Sequence, residues 1–419
     1  MDKIIINGPC KLSGSVTISK AKNAYLPILA GVLLSNKKIT LNEVPNLRDI
    51  NTMLKLLGNL GVGVKRDGKT IELEPALLNS HEATYDLVKT MRASIFTLGP
   101  ILTRLHKAKV SLPGGCAIGT RPIDLHLSNL EKMGAKITLE GGYVYAETDG
   151  PLQGAHLVLA FPSVGATENL MMAASLAEGQ TVIENAALEP EIDDLANFLN
   201  AMGGKVSGIG TNRLVIDGVK EFKEVEYTAI GDRIEAATYI MAALATKSSV
   251  RVDGFNPKHL DFVINLLKNM GANIEVGADF VQVEPSTLSL AKVDTAPFPG
   301  FPTDVQAQMM ALVTQVEGSS IITEHIFENR FMHVPELIRL GAKIELKGNT
   351  AVIEGGLKLI GAPVMCTDLR ASAALIIAAL TSHGETEISR VYHLDRGYEN
   401  LDQKFKKLGA NIQRVSEES

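Results

Sequence analysis

Residues 111–126, SLPGGCAIGTRPIDLH, put a thiol, an arginine and a carboxylate on one short stretch: Cys116, Arg121 and Asp124. Gly114, Gly115 and Gly119 leave the backbone few steric limits, so the stretch reads as a loop able to move or to approach a ligand closely. A thiol near its ordinary pKa of about 8.5 holds a proton at neutral pH and can still release it, which suits a general acid. Strand-like Lys109 and Val110 precede the loop, and an amphipathic helix pattern follows it. Pro122 suits the first turn of that helix, and Asp124 suits the positive end of its dipole. The expectation is a loop that carries a thiol over the mouth of a site, anchored by a helix starting at Arg121. The competing reading makes Cys116 a small apolar residue in a turn.

The elements that must position such a loop come from a chain of 419 residues, too long for one ordinary core, so two domains of roughly 200 residues are expected. With 45% hydrophobic and 21% charged residues the composition is that of a globular chain. The net charge of −6 argues against broad nucleic-acid binding, though a local arginine cluster still allows anionic substrates. Three cysteines without framework spacing fit a reducing cytosol, with Cys10 and Cys366 read as buried small apolar residues. No signal-type apolar region is expected at the N-terminus, and runs such as Ala373 to Leu380 are too short to span a bilayer.

The main organising signal is an internal repeat. A helix-ending phrase recurs at Leu60-Gly61, Met133-Gly134, Met202-Gly203, Met270-Gly271, Leu340-Gly341 and Leu408-Gly409, its glycines 68 to 73 residues apart. Glycine there fits the left-handed C-cap of a helix, and the alternation that follows, as in Lys343-Ile344-Glu345-Leu346, fits a strand. Earlier in each unit lies an Ala/Leu/Met-rich segment apolar over most of its faces: Asn23 to Leu34, Thr167 to Leu176, Arg233 to Ala245, Asp304 to Val316 and Leu369 to Leu380. Such a helix is a buried one. The second unit is the outlier, with the segment around Thr90 to Leu102 in place of a long helix. The unit therefore reads strand, buried helix, strand, exposed helix, strand, strand. Six units over two domains give an α/β fold, three units per domain, helices sharing a core and sheets outside, with the cleft expected between the triplets. A boundary is expected near Val225 to Gly231, and on pattern alone the first strand, Lys3 to Ile6, could pair with either half.

Six such units with a Pro-Gly-Gly-Cys loop in the second resemble the enolpyruvyl transferases, over nearly the whole chain. Ten phrases in order carry the likeness, among them Ala21-Lys22-Asn23-Ala24, Lys89 to Ser94, Leu112 to Leu125, Ser163-Val164-Gly165-Ala166-Thr167, Phe301 to Gln308, Phe327-Glu328-Asn329-Arg330-Phe331, Asp368-Leu369-Arg370-Ala371 and Asp395-Arg396-Gly397-Tyr398-Glu399. Within the family they resemble the branch whose acceptor is UDP-N-acetylglucosamine, and Glu168-Asn169-Leu170-Met171-Met172 looks like its Gram-positive form. One departure is Lys20, where the family has a small residue before Ala-Lys-Asn.

The resemblance implies an inside-out α/β barrel in each domain, residues 1–21 with 230–419 forming one and 22–229 the other. It implies transfer of enolpyruvyl from phosphoenolpyruvate to the 3′-hydroxyl of UDP-N-acetylglucosamine in cell-wall peptidoglycan synthesis, with no metal or redox cofactor, in the cytoplasm, by a monomer. Cys116 then looks like the acid, able to form an adduct with phosphoenolpyruvate and open to alkylation by fosfomycin. Asp304 is the candidate base or hydroxyl partner, its alternative being a helix cap, which Thr303 would serve equally well. Lys22, Asn23, Arg121, Arg370 and Arg396 look like the phosphoenolpyruvate ligands, Lys22 and Arg396 also acting in catalysis; arginine suits bidentate contact with carboxylate and phosphate. Arg330 belongs either to the site or to an interface ion pair. For the nucleotide sugar the resemblance points to Asn23, Arg92, Arg121, Pro122, Ile123, Asp124, Leu125, Ser163, Val164, Gly165, Asp304 and Ile326. Ser163 to Gly165 ahead of a buried helix would seat a pyrophosphate on open amides, or be an ordinary cap. The rival readings are 5-enolpyruvylshikimate-3-phosphate synthase, which lacks the Pro-Gly-Gly-Cys loop, a non-catalytic nucleotide-sugar-binding paralogue, and RNA 3′-terminal cyclase, disfavoured by charge and by the lack of a histidine nucleophile motif.

Overall fold

The computed structural model describes residues 2–85, 92–112 and 123–416, with Arg92 and Ala93 described by backbone alone. Cys116, Arg121 and Pro122 therefore lie outside the described residues, as does the side chain of Arg92. The described chain forms two compact units, residues 2–19 with 231–416, and residues 20–85, 92–112 and 123–230.

The sixfold repeat is realised as six four-stranded sheets among the described residues, all with one strand order. In four of these sheets the strand before the inner helix runs parallel to the strand after it, and in the other two the same place is filled by a strand from elsewhere in the chain. The strand after the helix pairs antiparallel with the fourth strand, and the fourth with the third. In one unit His156–Val158 lies parallel to Gln180–Glu184, which pairs antiparallel with Arg213–Asp217, itself paired to Val206–Ser207. A parallel pair needs a crossover, and the inner helix supplies it, here Val164–Ala174. The strands alternate in burial, as Thr70–Glu74 and Tyr143–Glu147 do, so one face of each sheet packs inward. Against those faces lie the inner helices Lys22–Gly31, Leu98–Leu105 and Val164–Ala174 in one unit, and Arg233–Ala245, Gln306–Val313 and Leu369–Thr381 in the other. All thirteen residues of Arg233–Ala245 are buried. Each leucine or isoleucine so placed contributes roughly 2 kcal/mol.

The first strand takes a definite side. Asp2–Gly8 pairs antiparallel with both Gly384–Ser389 and Ile412–Ser416, in the unit of residues 231–416. Ser13–Thr17 lies parallel to Ser249–Asp253 in that same unit. The sheet built on Ile39–Leu41 takes its first strand from Val225–Tyr227 instead. The chain thus passes from one unit to the other and back, and each unit's first strand is supplied across the exchange.

All six phrase glycines have φ between 97° and 104°, as a left-handed C-cap requires. After each one an amide reaches back five residues, Val62 to Leu57, Ala135 to Leu130, Gly204 to Leu199, Ala272 to Leu267, Ala342 to Leu337 and Ala410 to Phe405. The second unit keeps the common sheet and has a 3-10 segment, Arg92–Thr97, leading into the eight residues Leu98–Leu105, as the fifth has Thr303–Val305 ahead of the eight residues Gln306–Val313. The helix after the Cys116 loop is described from Asp124, with Ile123 as its N-cap, and Arg121 and Pro122, expected at its start, lie outside the described residues. Two boundaries differ from expectation. Asp304 stands in a 3-10 turn, Thr303–Val305, ahead of the inner helix. The first inner helix ends at Gly31 and tightens into a 3-10 turn over Val32–Leu34. Cys366 is buried as expected, whereas Cys10 is half-buried.

Candidate active site

Two arginines from different elements converge on one carboxylate in the unit of residues 231–416. Asp304 Oδ2 accepts from Arg370 Nε and Nη2 at 3.2 and 3.0 Å, and Oδ1 accepts from Arg330 Nη2 at 2.9 Å. Both arginine side chains are 4% exposed and that of Asp304 is 25% exposed, so the carboxylate is where the cluster meets solvent. The cap role for Asp304 is not taken: no side chain caps either the 3-10 turn or the helix after it. Thr303 Oγ1 donates instead to Glu324 Oε2 at 2.9 Å. Burial, the largest single influence, lowers the Arg370 guanidinium, but Asp304, Tyr398 and Asp232 together outweigh it and hold the group above its ordinary value. Nη1 of Arg330 and Nη1 of Arg370 are buried without a hydrogen bond among the described residues, two charged donors suited to an oxyanion.

Neighbouring turns are tied to this cluster. Glu324 Oε1 accepts from Thr295 Oγ1 at 2.9 Å and from the amides of Ile326 and Phe327 at 2.8 and 3.2 Å, which shapes the turn carrying half-buried Ile326. Arg396 closes the 3-10 segment Val391–Arg396 and is half-buried. Its neighbour Asp395 is gripped by Arg414 Nη1 and Nη2, each at 2.7 Å. Asp368 caps the helix that carries Arg370, accepting from the amides of Arg370 and Ala371.

In the other unit, Lys22 and Asn23 open the inner helix Lys22–Gly31. Lys22 is buried, with Nζ 3.3 Å from Asp49 Oδ2. Lys20 pairs with Glu43 at 3.4 Å, so the two lysines work through separate carboxylates. Pro27 lies inside the helix and cannot donate to the Asn23 carbonyl, which loosens the turn where Lys22 and Asn23 stand. Ser163 is the N-cap of Val164–Ala174, its side chain accepting from the Ala166 amide at 3.3 Å. The cap reading of Ser163 therefore holds, and Val164 and Gly165, both half-buried, supply the helix's opening amides. Ile123 and Leu125 are half-buried and Asp124 exposed at the start of Asp124–Lys132.

Sequence reasoning missed the polar groups beneath these residues. His126 Nδ1 accepts from Asn169 Nδ2 at 3.0 Å, while Asn169 Oδ1 accepts from the Gly99 amide at 2.7 Å. Burial pulls the His126 imidazole down to about 4, so it is neutral with its proton on Nε2. A Cβ on Gly165 would come 3.4 Å from that ring, which ties the amide turn to His126. Glu168 is fully buried, and neither oxygen has a hydrogen bond among the described residues. Burial first, then Glu191 and Glu189, push its carboxyl well above the usual range. A run Thr167-Glu168-Asn169 inside a helix otherwise built of apolar and small residues was the signal available for it. Among the described residues no three His, Cys, Asp or Glu side chains are disposed to hold a metal ion. No helix of the described residues is long and apolar enough to cross a membrane.

Comparison with known proteins agrees with this fold. The family profile described as EPSP synthase (3-phosphoshikimate 1-carboxyvinyltransferase) matches residues 6–405. The enolpyruvyl transferase NikO from Streptomyces tendae has the same fold, with a TM-score of 0.89 at 24% identity over 99% of each chain. An EPSP synthase from Acinetobacter baumannii follows with a TM-score of 0.77 at 18% identity, covering 99% of this chain and 100% of that one. The curated relatives are much nearer. UDP-N-acetylglucosamine 1-carboxyvinyltransferase of Lawsonia intracellularis is 54% identical over 100% of both chains. That of Pseudoalteromonas atlantica is 53% identical over 99% of this chain and 100% of its own. With half its residues matched end to end, the chain is a transferase and belongs to the carboxyvinyltransferase family, among the UDP-N-acetylglucosamine 1-carboxyvinyltransferases.

Proposed function

We propose that this protein transfers the enolpyruvyl group of phosphoenolpyruvate to the 3′-hydroxyl of UDP-N-acetylglucosamine, releasing phosphate, at the entry to peptidoglycan synthesis. The observation that carries the reading is identity of 51–54% over the full length with proteins of that name. The buried arginines on Asp304 support it, because the donor brings a phosphate and a carboxylate that both call for fixed cations.

The chemistry is addition followed by elimination. Cys116 protonates the methylene carbon of the donor while the sugar 3′-oxygen bonds to the adjacent carbon, giving a tetrahedral intermediate. A proton then leaves the new methyl group, the double bond re-forms and phosphate departs. Asp304, with both oxygens already held by arginine, is suited to accept a hydrogen bond from the 3′-hydroxyl at a fixed place, as base or as hydroxyl partner. Lys22, Asn23, Arg121, Arg370 and Arg396 bind the donor. Asn23, Arg92, residues 121–125, residues 163–165, Asp304 and Ile326 bind the nucleotide sugar. The protein acts in the cytoplasm as a monomer, a setting that its three cysteines suit.

Phosphate release from phosphoenolpyruvate tests this, with UDP-N-acetylglucosamine or shikimate 3-phosphate as acceptor, on wild type and Cys116→Ala. Release with the nucleotide sugar alone, lost by more than about a hundredfold in the variant, is expected for a missing general acid. Release with shikimate 3-phosphate, or with neither acceptor, refutes the assignment. Fosfomycin adds an independent arm: mass spectrometry is expected to find one adduct, on Cys116.

A further inference from the structure

Behind Asp304 and Arg370 lies a buried polar node that the ion pairs do not account for. It joins four segments: Thr238 on Arg233–Ala245, Gln308 on Gln306–Val313, Arg370 on Leu369–Thr381, and Tyr398 two residues beyond Arg396. Thr238 and Gln308 are 0% exposed and Tyr398 is 2% exposed. The Tyr398 and Thr238 hydroxyls are 2.8 Å apart. Thr238 Oγ1 also lies 2.9 Å from the Ile234 carbonyl, which can only accept. Its single proton is therefore committed there, and Tyr398 must be the donor to Thr238. Gln308 Nε2 donates to the Asp304 carbonyl at 3.0 Å and toward the Thr238 and Tyr398 hydroxyls at 3.2 and 3.3 Å. The Arg370 guanidinium carbon sits 5.7 Å from the centre of the Tyr398 ring. The hydroxyl protons of Tyr398 and Thr238 are thus directed, the two Gln308 N–H groups are shared among three acceptors, and the node's ends are the Asp304 backbone and the Arg370 side chain.

We propose that Tyr398, acting through Thr238 and Gln308, is a positioning residue that fixes Arg370 and Asp304 relative to each other for the transfer. This rests on the reading given under Proposed function. The node touches no candidate reacting atom; it holds the backbone of one site residue and the side chain of another. An apolar core would fill the same space without fixing either, whereas hydrogen bonds between buried groups favour one arrangement; among the described residues Gln308 Oε1 has no partner, so the node holds through Nε2 and the two hydroxyls. A displacement of the order of 1 Å at a reacting group costs about a hundredfold in rate, so partial loosening here reads out in kcat.

Two measurements test it. Tyr398→Phe keeps the ring and removes the hydroxyl, and Thr238→Val removes the acceptor with little change of shape. Each is expected to lower kcat by about tenfold or more, leaving the KM for UDP-N-acetylglucosamine within about twofold, as loss of orientation without loss of binding demands. Thr238→Ser, which keeps the hydroxyl, is expected to restore the rate lost in Thr238→Val. Unchanged kcat in both variants, or a Thr238→Ser as slow as Thr238→Val, overturns the proposal. The second measurement needs no turnover. In protein labelled with 15N-arginine, the Nε–H of Arg370, assigned by its loss in Arg370→Lys, is expected to exchange with solvent about tenfold faster in Tyr398→Phe as its geometry loosens. An unchanged exchange rate overturns the positioning role. A wild type inactive with both acceptors, together with faster exchange in the variant, would refute the assigned reaction and leave the node's hold on Arg370 standing.

Discussion

Asp304 shows what one residue does when its surroundings choose among its roles. At the head of a helix it has the chemistry of a cap, yet its oxygens go to Arg330 and Arg370. Truncating one partner of such a cluster leaves a buried charge unpaired, so its members stand or fall together. His126 gives a testable case of the same coupling between place and protonation. Its folded value of about 4 lies below the ordinary 6.5, so below that pH the unfolded chain takes up a proton that the folded chain refuses. The stability this group supports is whole above 6.5 and is lost as pH falls toward 4. His126→Asn keeps an acceptor near the Nδ1 position and removes the titration. Relative to this variant, wild type is expected to lose roughly 3 kcal/mol of unfolding free energy between pH 6.5 and 4, and nothing further above pH 7. Urea unfolding at a series of pH values measures it, and parallel curves for the two proteins would rule out the buried neutral imidazole.

At the scale of the element, the same helix-to-strand turn is used six times, and its glycine is required by backbone angle wherever it occurs. The surroundings differ. A Cβ on Gly134 would meet nothing within 4 Å, whereas on Gly61 it would come 2.6 Å from the Leu77 carbonyl oxygen. Gly134→Ala is therefore expected to cost about 1–2 kcal/mol, from the left-handed backbone alone. Gly61→Ala is expected to cost at least about 1 kcal/mol more, because backbone must move to admit the methyl. Thermal unfolding of the two variants gives the order, and equal costs would mean that the Leu77 turn yields freely. The inner helices draw on a second device. Ser163, Asp232 and Asp368 each cap one, so helix starts that bear or adjoin candidate site residues are fixed by side chains one residue outside them.

For the whole molecule the controlling feature is the exchange of first strands. Asp2–Gly8 fills the fourth-strand place in one sheet and Ser13–Thr17 the first-strand place in another, both in the unit of residues 231–416. Residues 231–416 alone would leave two sheets incomplete with open edges. A chain starting at residue 19 is expected to lose amide protection in Gly384–Ser389, Ile412–Ser416 and Ser249–Asp253 by about a hundredfold or more. Thr70–Glu74 and Arg213–Asp217 in the other unit are expected to keep theirs. Hydrogen exchange followed by mass spectrometry reads both sets at once, and full protection of Ile412–Ser416 would show that the N-terminal strand is dispensable.

The sequence by itself determined the repeat. Glycine spacing, Ala- and Leu-rich segments without a polar face and short alternating strands are local properties, and local backbone preference with burial pattern is enough to specify each unit. Its phrases also resemble those of the enolpyruvyl transferases, and that resemblance singled out Asp304, Arg370, Lys22 and Ser163. Only the tertiary structure decided which sheet the first strand joins, since its alternation suits either edge and long-range pairing selects one. Tertiary packing likewise decided that Asp304 binds two arginines rather than caps a helix, that Lys20 turns to Glu43 while Lys22 turns to Asp49, and that Tyr398, Thr238 and Gln308 form one node. Those partners lie from 23 to 160 residues apart, beyond any local window of sequence. A buried polar group is satisfied by whatever the fold brings within 3 Å of it, and that is a property of the packed chain rather than of any stretch of it.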